Sequence, residues 1–92
     1  MIKTFRCAET KAIFNREGSR KFRAIEKQAQ RRLALLDSAA SLLDLAAIHS
    51  SHLETLTADR KGQHSIRINQ EWRICFVWTA NGAENVEIVD YH

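Results

Sequence analysis

The last third of this 92-residue chain contains residues that could act together in acid–base chemistry: Arg67 and Arg73, followed by Asp90 and His92. Because Asp90 and His92 are two positions apart, both are expected on one face of an extended strand. A histidine and a carboxylate can exchange protons near neutral pH, and arginine offers a forked cation to phosphate. This combination predicts cleavage of a phosphodiester through a 2′-hydroxyl. The alternative is a surface salt-bridge network in which Asp90 neutralises Arg73.

The other histidines and the cysteines do not have the spacing of a metal site or of a nucleophilic catalytic site. His49 and His52 could share a metal ion, but no second pair of ligands accompanies them, so no metal is expected. Cys7 and Cys75 are far apart in sequence and are interpreted as reduced thiols of a cytoplasmic protein. Neither a P-loop nor a dinucleotide-binding fingerprint is present, and no cofactor is predicted.

The strands that position these residues can be aligned by their alternation of apolar side chains. Residues 63–68 and 71–78 alternate, and a three-residue loop between them pairs Arg67 with Arg73. Asn81-Gly82 is typical of a two-residue hairpin turn, and that turn pairs Arg73 with Asp90 in a last strand over 86–92. The large apolar residues then share the opposite face, where the helices should pack: Ile66, Ile68, Trp72, Ile74, Phe76, Trp78, Val89 and Tyr91.

The first half of the chain is predicted to be helical and basic. Apolar residues at 22, 25, 29, 33 and 36 form one helical stripe, for which Ser19 is a suitable N-cap. Shorter helices are expected at 9–15 and 41–47, and brief strands at 2–5 and 53–56. Residues 1–32 contain ten Lys or Arg and three Glu, and Lys27 and Arg31 lie outside the apolar stripe. This charge favours a polyanionic partner, although a solvated helix face is the alternative.

Helices followed by strands predict a single α+β domain over 1–92, with N-terminal helices packed on one face of a small twisted antiparallel β-sheet. Hydrophobic residues make up 45% and charged residues 27%, which excludes a disordered, collagen-like or coiled-coil chain. No apolar run approaches the roughly 18 residues that span a membrane, and the first residues lack the apolar stretch of a signal peptide. A cytoplasmic location and no membrane partner are therefore expected.

Three segments of the chain resemble the HigB-type killer toxins of the RelE/ParE superfamily, which belong to bacterial type II toxin–antitoxin systems. They are residues 59–69 (DRKGQHSIRIN), the Trp72-Arg73-Ile74 strand, and residues 87–92 (EIVDYH). The opening residues 1–5 also fit that family. The resemblance covers essentially the whole chain and is strongest over residues 53–92.

The resemblance implies a RelE-like fold and a ribosome-dependent endoribonuclease, an mRNA interferase that cleaves mRNA in the ribosomal A site and inhibits translation. It assigns catalysis to Arg73, Asp90 and His92, with Tyr91 in the same motif. The implied partners are a cognate helix-turn-helix antitoxin, the ribosome and mRNA, with Lys27 and Arg31 on rRNA phosphates. The runner-up within the superfamily is a non-catalytic ParE-like toxin that binds DNA gyrase. A third reading is a relative that only binds RNA.

The chain departs from a HigB-type toxin at Glu54 and Thr57, which align with a histidine and a lysine there. Two polar groups near the site are thereby replaced. The positive charge that binds substrate is expected instead from Arg60, Lys61 or Arg67.

Overall fold

The computed structural model describes residues 1–90 and places three helices before four strands in the chain. The helices are α1 (Ala8–Phe14), α2 (Glu26–Ser38) and α3 (Leu42–Ala46). The strands are β1 (Glu54–Thr55), β2 (His64–Arg67), β3 (Trp72–Thr79) and β4 (Gly82–Asp90). They form one antiparallel sheet in the order β1-β2-β3-β4, so the predicted α+β class is confirmed. Within residues 1–90 no helix has the length and apolar character needed to cross a membrane.

The core lies between helix α2 and one face of the sheet. From α2, Ala29, Leu33 and Leu36 are buried in the same cluster as Ile74 and Phe76 of β3. The apolar stripe predicted from the sequence is therefore the buried side of the helix layer. Its N-terminal part is a single 3-10 turn (Arg23–Ile25) rather than α-helix. Ser19 lies ahead of this turn, where its Oγ accepts a hydrogen bond from the Phe22 amide at 3.3 Å.

The β2–β3 hairpin has the register that the apolar alternation predicts. Ile66 pairs with Ile74 and Arg67 pairs with Arg73. The connecting loop is closed by Asn69, whose Oδ1 accepts hydrogen bonds from the backbone amides of residues 71 and 72, both at 2.8 Å. Because the apolar residues must share the face under the helices, only this register is compatible with the core.

The β3–β4 hairpin differs from the prediction by one residue. Thr79 pairs with Gly82, so the turn residues are 80 and 81 rather than Asn81-Gly82. This turn alone would place Arg73 opposite Ile88. A β-bulge between positions 75 and 77, next to Asn85 with φ 54°, moves the register by one residue. Arg73 therefore lies opposite Val89, and Asp90 lies opposite Trp72. The predicted pairing of Arg73 with Asp90 and the predicted apolar position of Val89 are therefore wrong.

The N-terminal segment explains why glycine occupies position 82. Ile2 and Phe5 form isolated parallel bridges with Ala83 and Val86 along the edge of β4, in place of the regular strand predicted at 2–5. Gly82 has φ +125°, and a Cβ there would collide with the backbone carbonyl oxygen of Met1. The glycine is therefore required by the close approach of the two segments, and β4 begins at Gly82 instead of residue 86.

Candidate active site

The sheet face opposite the helices carries Arg67 and Arg73 of the predicted site and is called the arginine face below. Cross-strand pairing places one row of side chains over Glu54, Ser65, Cys75 and Glu87. The next row contains Arg67, Arg73 and Val89. Two residues along a strand correspond to about 7 Å, which is the spacing between these rows. The apolar alternation thus directs two arginines and two glutamates to the same side of the sheet.

Arg73 is buried on this face, with 7% of its surface exposed. Its Nε donates to Ser65 Oγ at 2.7 Å, and its Nη2 donates to the carbonyl oxygens of Ser65 at 3.4 Å and of His52. Its Nη1 is 3.9 Å from Glu54 Oε1. Alternation alone predicts an open position for Arg73, and that expectation is wrong because the segment containing His52 covers this part of the face. Two nitrogens of the guanidinium, Nε and Nη2, thus donate to uncharged oxygen acceptors, and these hydrogen bonds fix its orientation.

Arg67 is the direct cross-strand partner of Arg73 and is half-buried. Its Nε donates to the carbonyl oxygen of Asn69 at 3.1 Å, so it is held toward the β2–β3 loop. Like charges directly opposite each other in a sheet are unfavourable. Two guanidiniums side by side at the loop end of the β2–β3 hairpin are an arrangement that suits an anionic ligand.

A second ionic cluster lies one row away, around Glu87. Arg60 Nη2 is 3.2 Å from Glu87 Oε1, and Arg6 Nε is 3.3 Å from Glu87 Oε2. Arg60 also donates from Nη1 to Gln63 Oε1 at 3.1 Å. Arg60 comes from the 3-10 turn Ala58–Arg60, and the adjacent Lys61 is exposed at its end. The structure therefore brings Arg60 onto the arginine face, with Lys61 beside it in the same loop.

Cys75 lies beneath this cluster and is fully buried. Burial raises the pKa of the Cys75 thiol above its ordinary value, and Glu87 adds to the rise while Arg60 and Arg73 oppose it. The protonated thiol is a poor nucleophile. Cys75 is therefore interpreted as a buried packing residue beneath the ionic groups and not as a nucleophile.

The remaining catalytic candidates lie at the C-terminal end of the sheet. Asp90 is exposed and is the last residue that the structure describes. Asp90 is paired with Trp72, so it lies on the opposite side of the sheet from Arg73. The prediction that Arg73 and Asp90 share one face is therefore wrong. Asp90 nevertheless follows Val89, the direct partner of Arg73, in the chain. Tyr91 and His92 lie outside the described residues.

The basic helix residues are on the other side of the molecule. Lys27 and Arg31 are exposed on α2, and Arg31 borders shallow grooves on either side of this helix. Because α2 packs against the core face of the sheet, these side chains point away from the arginine face. The basic surface of α2 is therefore separate from the arginine face, a distinction that a count of charges along the sequence does not make.

Several residues of the arginine face were not selected from the sequence. Ser65 and Glu87 could have been found, since strand alternation places both on the face of Arg73. Nothing in the sequence marks Arg6 or the carbonyl of His52, because both reach the face through tertiary contacts. Among residues 1–90, no group of three or more His, Cys, Asp or Glu side chains could hold a metal ion.

Comparisons with known proteins identify relatives of this fold. The model of a family described as "RelE-like toxin of type II toxin-antitoxin system HigB" matches residues 3–92. Toxin HigB-1 of Vibrio cholerae serotype O1 (strain ATCC 39315 / El Tor Inaba N16961) is 36% identical over 62 residues. Those residues are 67% of this chain and 65% of that protein, just under two-thirds of its length. A chain in the YoeB-YefM complex from Staphylococcus aureus superimposes with a TM-score of 0.61 at 18% identity, over 100% of this chain and 98% of that one, which confirms the fold.

Proposed function

The chain belongs to the family of HigB-like toxins of type II toxin–antitoxin systems, and from this we propose that it is a ribosome-dependent endoribonuclease. It cleaves mRNA in the ribosomal A site and thereby stops translation and growth. The supporting observation is the fixed guanidinium of Arg73, which Ser65 and the His52 carbonyl orient opposite Arg67. A cation held in this way can stabilise negative charge on phosphorus without reorganising during the reaction.

The chemistry is an attack of the 2′-hydroxyl oxygen on the adjacent phosphorus, followed by departure of the 5′-oxygen of the next nucleotide. One group must accept the 2′-hydroxyl proton, and another must protonate the departing oxygen. We assign these two proton transfers to Asp90 and His92, which follow Val89, the cross-strand partner of Arg73, in the chain. A carboxylate and an imidazole are both groups that serve as general acids or bases. Arg73 stabilises the pentacoordinate intermediate, and Tyr91 contributes a base contact in the same motif.

Dependence on the ribosome accounts for so sparse a set of catalytic groups. The ribosome presents one mRNA codon in a fixed place, so orientation of the substrate need not come from the toxin alone. The basic helix layer, including Lys27 and Arg31, binds rRNA phosphates. Arg60, Lys61 and Arg67 bind the mRNA backbone near the reacting phosphate. This activity places the protein in the cytoplasm, where ribosomes are.

The proposed regulatory partner is a helix-turn-helix antitoxin, as the toxin–antitoxin family name implies. The antitoxin would neutralise the toxin by covering the arginine face or the basic helix layer. Gyrase binding of the ParE kind is not favoured, because the family model and the curated relative are both HigB toxins.

The experiment is cleavage of mRNA by purified toxin on programmed ribosomes, together with mapping of mRNA 5′ ends in cells after induction. New 5′ ends within coding frames are expected with the wild type and are lost with Arg73→Ala. Lys3→Ala is the control, because it removes an exposed cation from the N-terminal segment. Intact mRNA accompanied by a DNA-damage response would overturn the proposal in favour of gyrase binding.

A further inference from the structure

Glu87 joins two arginines that come from segments distant in sequence. Arg6 lies in the N-terminal segment beside β4, and its backbone amide donates to the carbonyl oxygen of Val86 at 3.0 Å. Arg60 lies in the loop between β1 and β2, and its guanidinium reaches across the face to Glu87. The carboxylate of Glu87 is enclosed, with 14% of its side chain exposed. One acid therefore fixes two cations on the same patch of the arginine face.

The cluster retains positive charge and accessible donors. Two guanidiniums against one carboxylate leave a net charge of about +1, which is the balance that can accept a further anion. The Arg6 side chain is 64% exposed, and the Arg60 side chain is 35% exposed. A guanidinium has five N–H donors, and the contacts with Glu87 and Gln63 use only part of them. Arg6 and Arg60 can therefore bind phosphate oxygens while Glu87 continues to hold them.

The position of the cluster relates it to the reacting phosphate. Glu87 and Cys75 are direct partners in the row next to that of Arg73 and Val89, about 7 Å away along the strands. A single-stranded RNA that places one phosphate at Arg73 can place a neighbouring phosphate over this row. Within residues 1–90, Glu87 is the acid that pairs with Arg6 and Arg60, and Glu54 lies at the far end of the row, on β1.

We propose that Arg6 and Arg60 form a second phosphate-binding subsite for the RNA strand, and that Glu87 is its positioning residue. The subsite binds the phosphate adjacent to the cleaved one and fixes the register of the strand over Arg73. This inference rests on the proposed ribonuclease function. Arg6 and Glu87 have no other part in that function, so they test the subsite independently of the catalytic residues.

The test separates binding from chemistry. Ribosomes are programmed with an mRNA that carries 2′-deoxynucleotides in the A-site codon, which removes the attacking hydroxyl, and toxin binding is titrated at several salt concentrations. Cleavage of the corresponding all-ribose mRNA is measured in parallel for kcat and KM. The variants are Arg6→Ala, Arg60→Ala and Glu87→Gln. Lys3→Ala is the matched control, because it removes the same charge from the same segment.

Each arginine variant is expected to raise Kd and KM about tenfold, with a smaller change in kcat. Each should also lower the slope of log K against log salt by about 0.7, the value for one phosphate contact with a single strand. Lys3→Ala should leave both quantities near the wild-type values. Because Arg60 is partly covered, Arg60→Lys is included with a thermal melt to separate loss of binding from loss of folding.

Glu87→Gln distinguishes positioning from simple charge. The substitution makes the face more positive, so unpositioned electrostatics would tighten binding. A positioning role predicts the opposite result, a severalfold increase in KM in a protein that still melts cooperatively. Tighter binding by Glu87→Gln, or unchanged salt slopes for Arg6→Ala and Arg60→Ala, would overturn the subsite while wild-type cleavage continued to support the ribonuclease. A wild type that neither binds nor cleaves would overturn both.

Discussion

Arg73 Nε donates a hydrogen bond to Ser65 Oγ at 2.7 Å, between residues on adjacent strands whose side chains are both buried. Ser65 is paired directly with Cys75, so its hydroxyl reaches Arg73 diagonally across the β2–β3 ladder. This diagonal contact, together with the His52 carbonyl, fixes the guanidinium on the arginine face. An arginine that depends on its neighbours for orientation can be impaired without being mutated.

Substitution of Ser65 by alanine is the sharpest test of that orientation. The variant removes an acceptor from a charged donor, which costs about 1.5–3 kcal/mol in stability. Cleavage by Ser65→Ala should fall by about one to two orders of magnitude, since misplacement of a catalytic cation on the scale of an ångström has that effect. Ser65→Thr, which keeps the hydroxyl, is the matched control. Equal kcat for the alanine variant and the wild type would contradict a positioning role.

Arg73→Ala should abolish cleavage and also lower stability. Loss of one transition-state donor costs roughly 3–4 kcal/mol, which is hundreds-fold in rate. Because Arg73 is buried, its removal also leaves Ser65 and the His52 carbonyl without their donor, at about 1–3 kcal/mol. Arg73→Lys retains the charge without the fork, and we expect it to recover stability more than activity. Full toxicity of a folded Arg73→Ala protein would remove Arg73 from the mechanism.

Trp72→Ala acts through the core. Trp72 packs edge-on against Phe22 with ring centroids 5.3 Å apart, and it is half-buried beside the helix layer. Truncation of a large aromatic side chain in such a place costs about 3 kcal/mol, a large fraction of the stability of a small domain. Thermal melts should show a marked loss of Tm or of soluble protein. Leu43→Ala, at a position 80% exposed, should melt like the wild type.

Charge reversal on α2 tests the second basic surface. Lys27→Glu combined with Arg31→Glu should weaken binding to ribosomes and reduce its salt dependence, because fewer phosphates are contacted. Both side chains are exposed, so the melting temperature should change little. The double variant Lys3→Glu and Lys11→Glu carries the same change in net charge. If both double variants weaken binding equally, overall charge rather than the α2 surface is responsible.

Because the pKa of Cys75 is raised, the free energy of unfolding should depend on pH in the alkaline range. The unfolded thiol ionises near pH 8.5, whereas the buried thiol keeps its proton to higher pH. The unfolded state therefore loses its proton first, and the free energy of unfolding should fall as the pH rises above about 8.5. Cys75→Ala should flatten this slope in denaturant titrations between about pH 8 and 10. An unchanged slope in Cys75→Ala would contradict the assignment.

Much of the fold follows from local periodicity in the sequence. The stripe that includes Ala29, Leu33 and Leu36 could be recognised because a helix repeats every 3.6 residues. The pairing of Arg67 with Arg73 could be recognised because a slip of one residue would turn the apolar side chains away from the core. These features depend on the residues themselves and on their nearest strand neighbour, so they can be predicted without the rest of the molecule.

The tertiary structure decided the features that depend on contacts between distant segments. The N-terminal segment occupies the space beside Gly82, so this glycine serves a close approach rather than the turn. A β-bulge between positions 75 and 77 then sets Arg73 opposite Val89 instead of Asp90. Arg73 is buried because the segment through His52 folds over it, and Arg6 reaches Glu87 from the opposite end of the chain. Alternation specifies which side of a strand a residue occupies. What covers that side is determined by packing between segments, which no local pattern encodes.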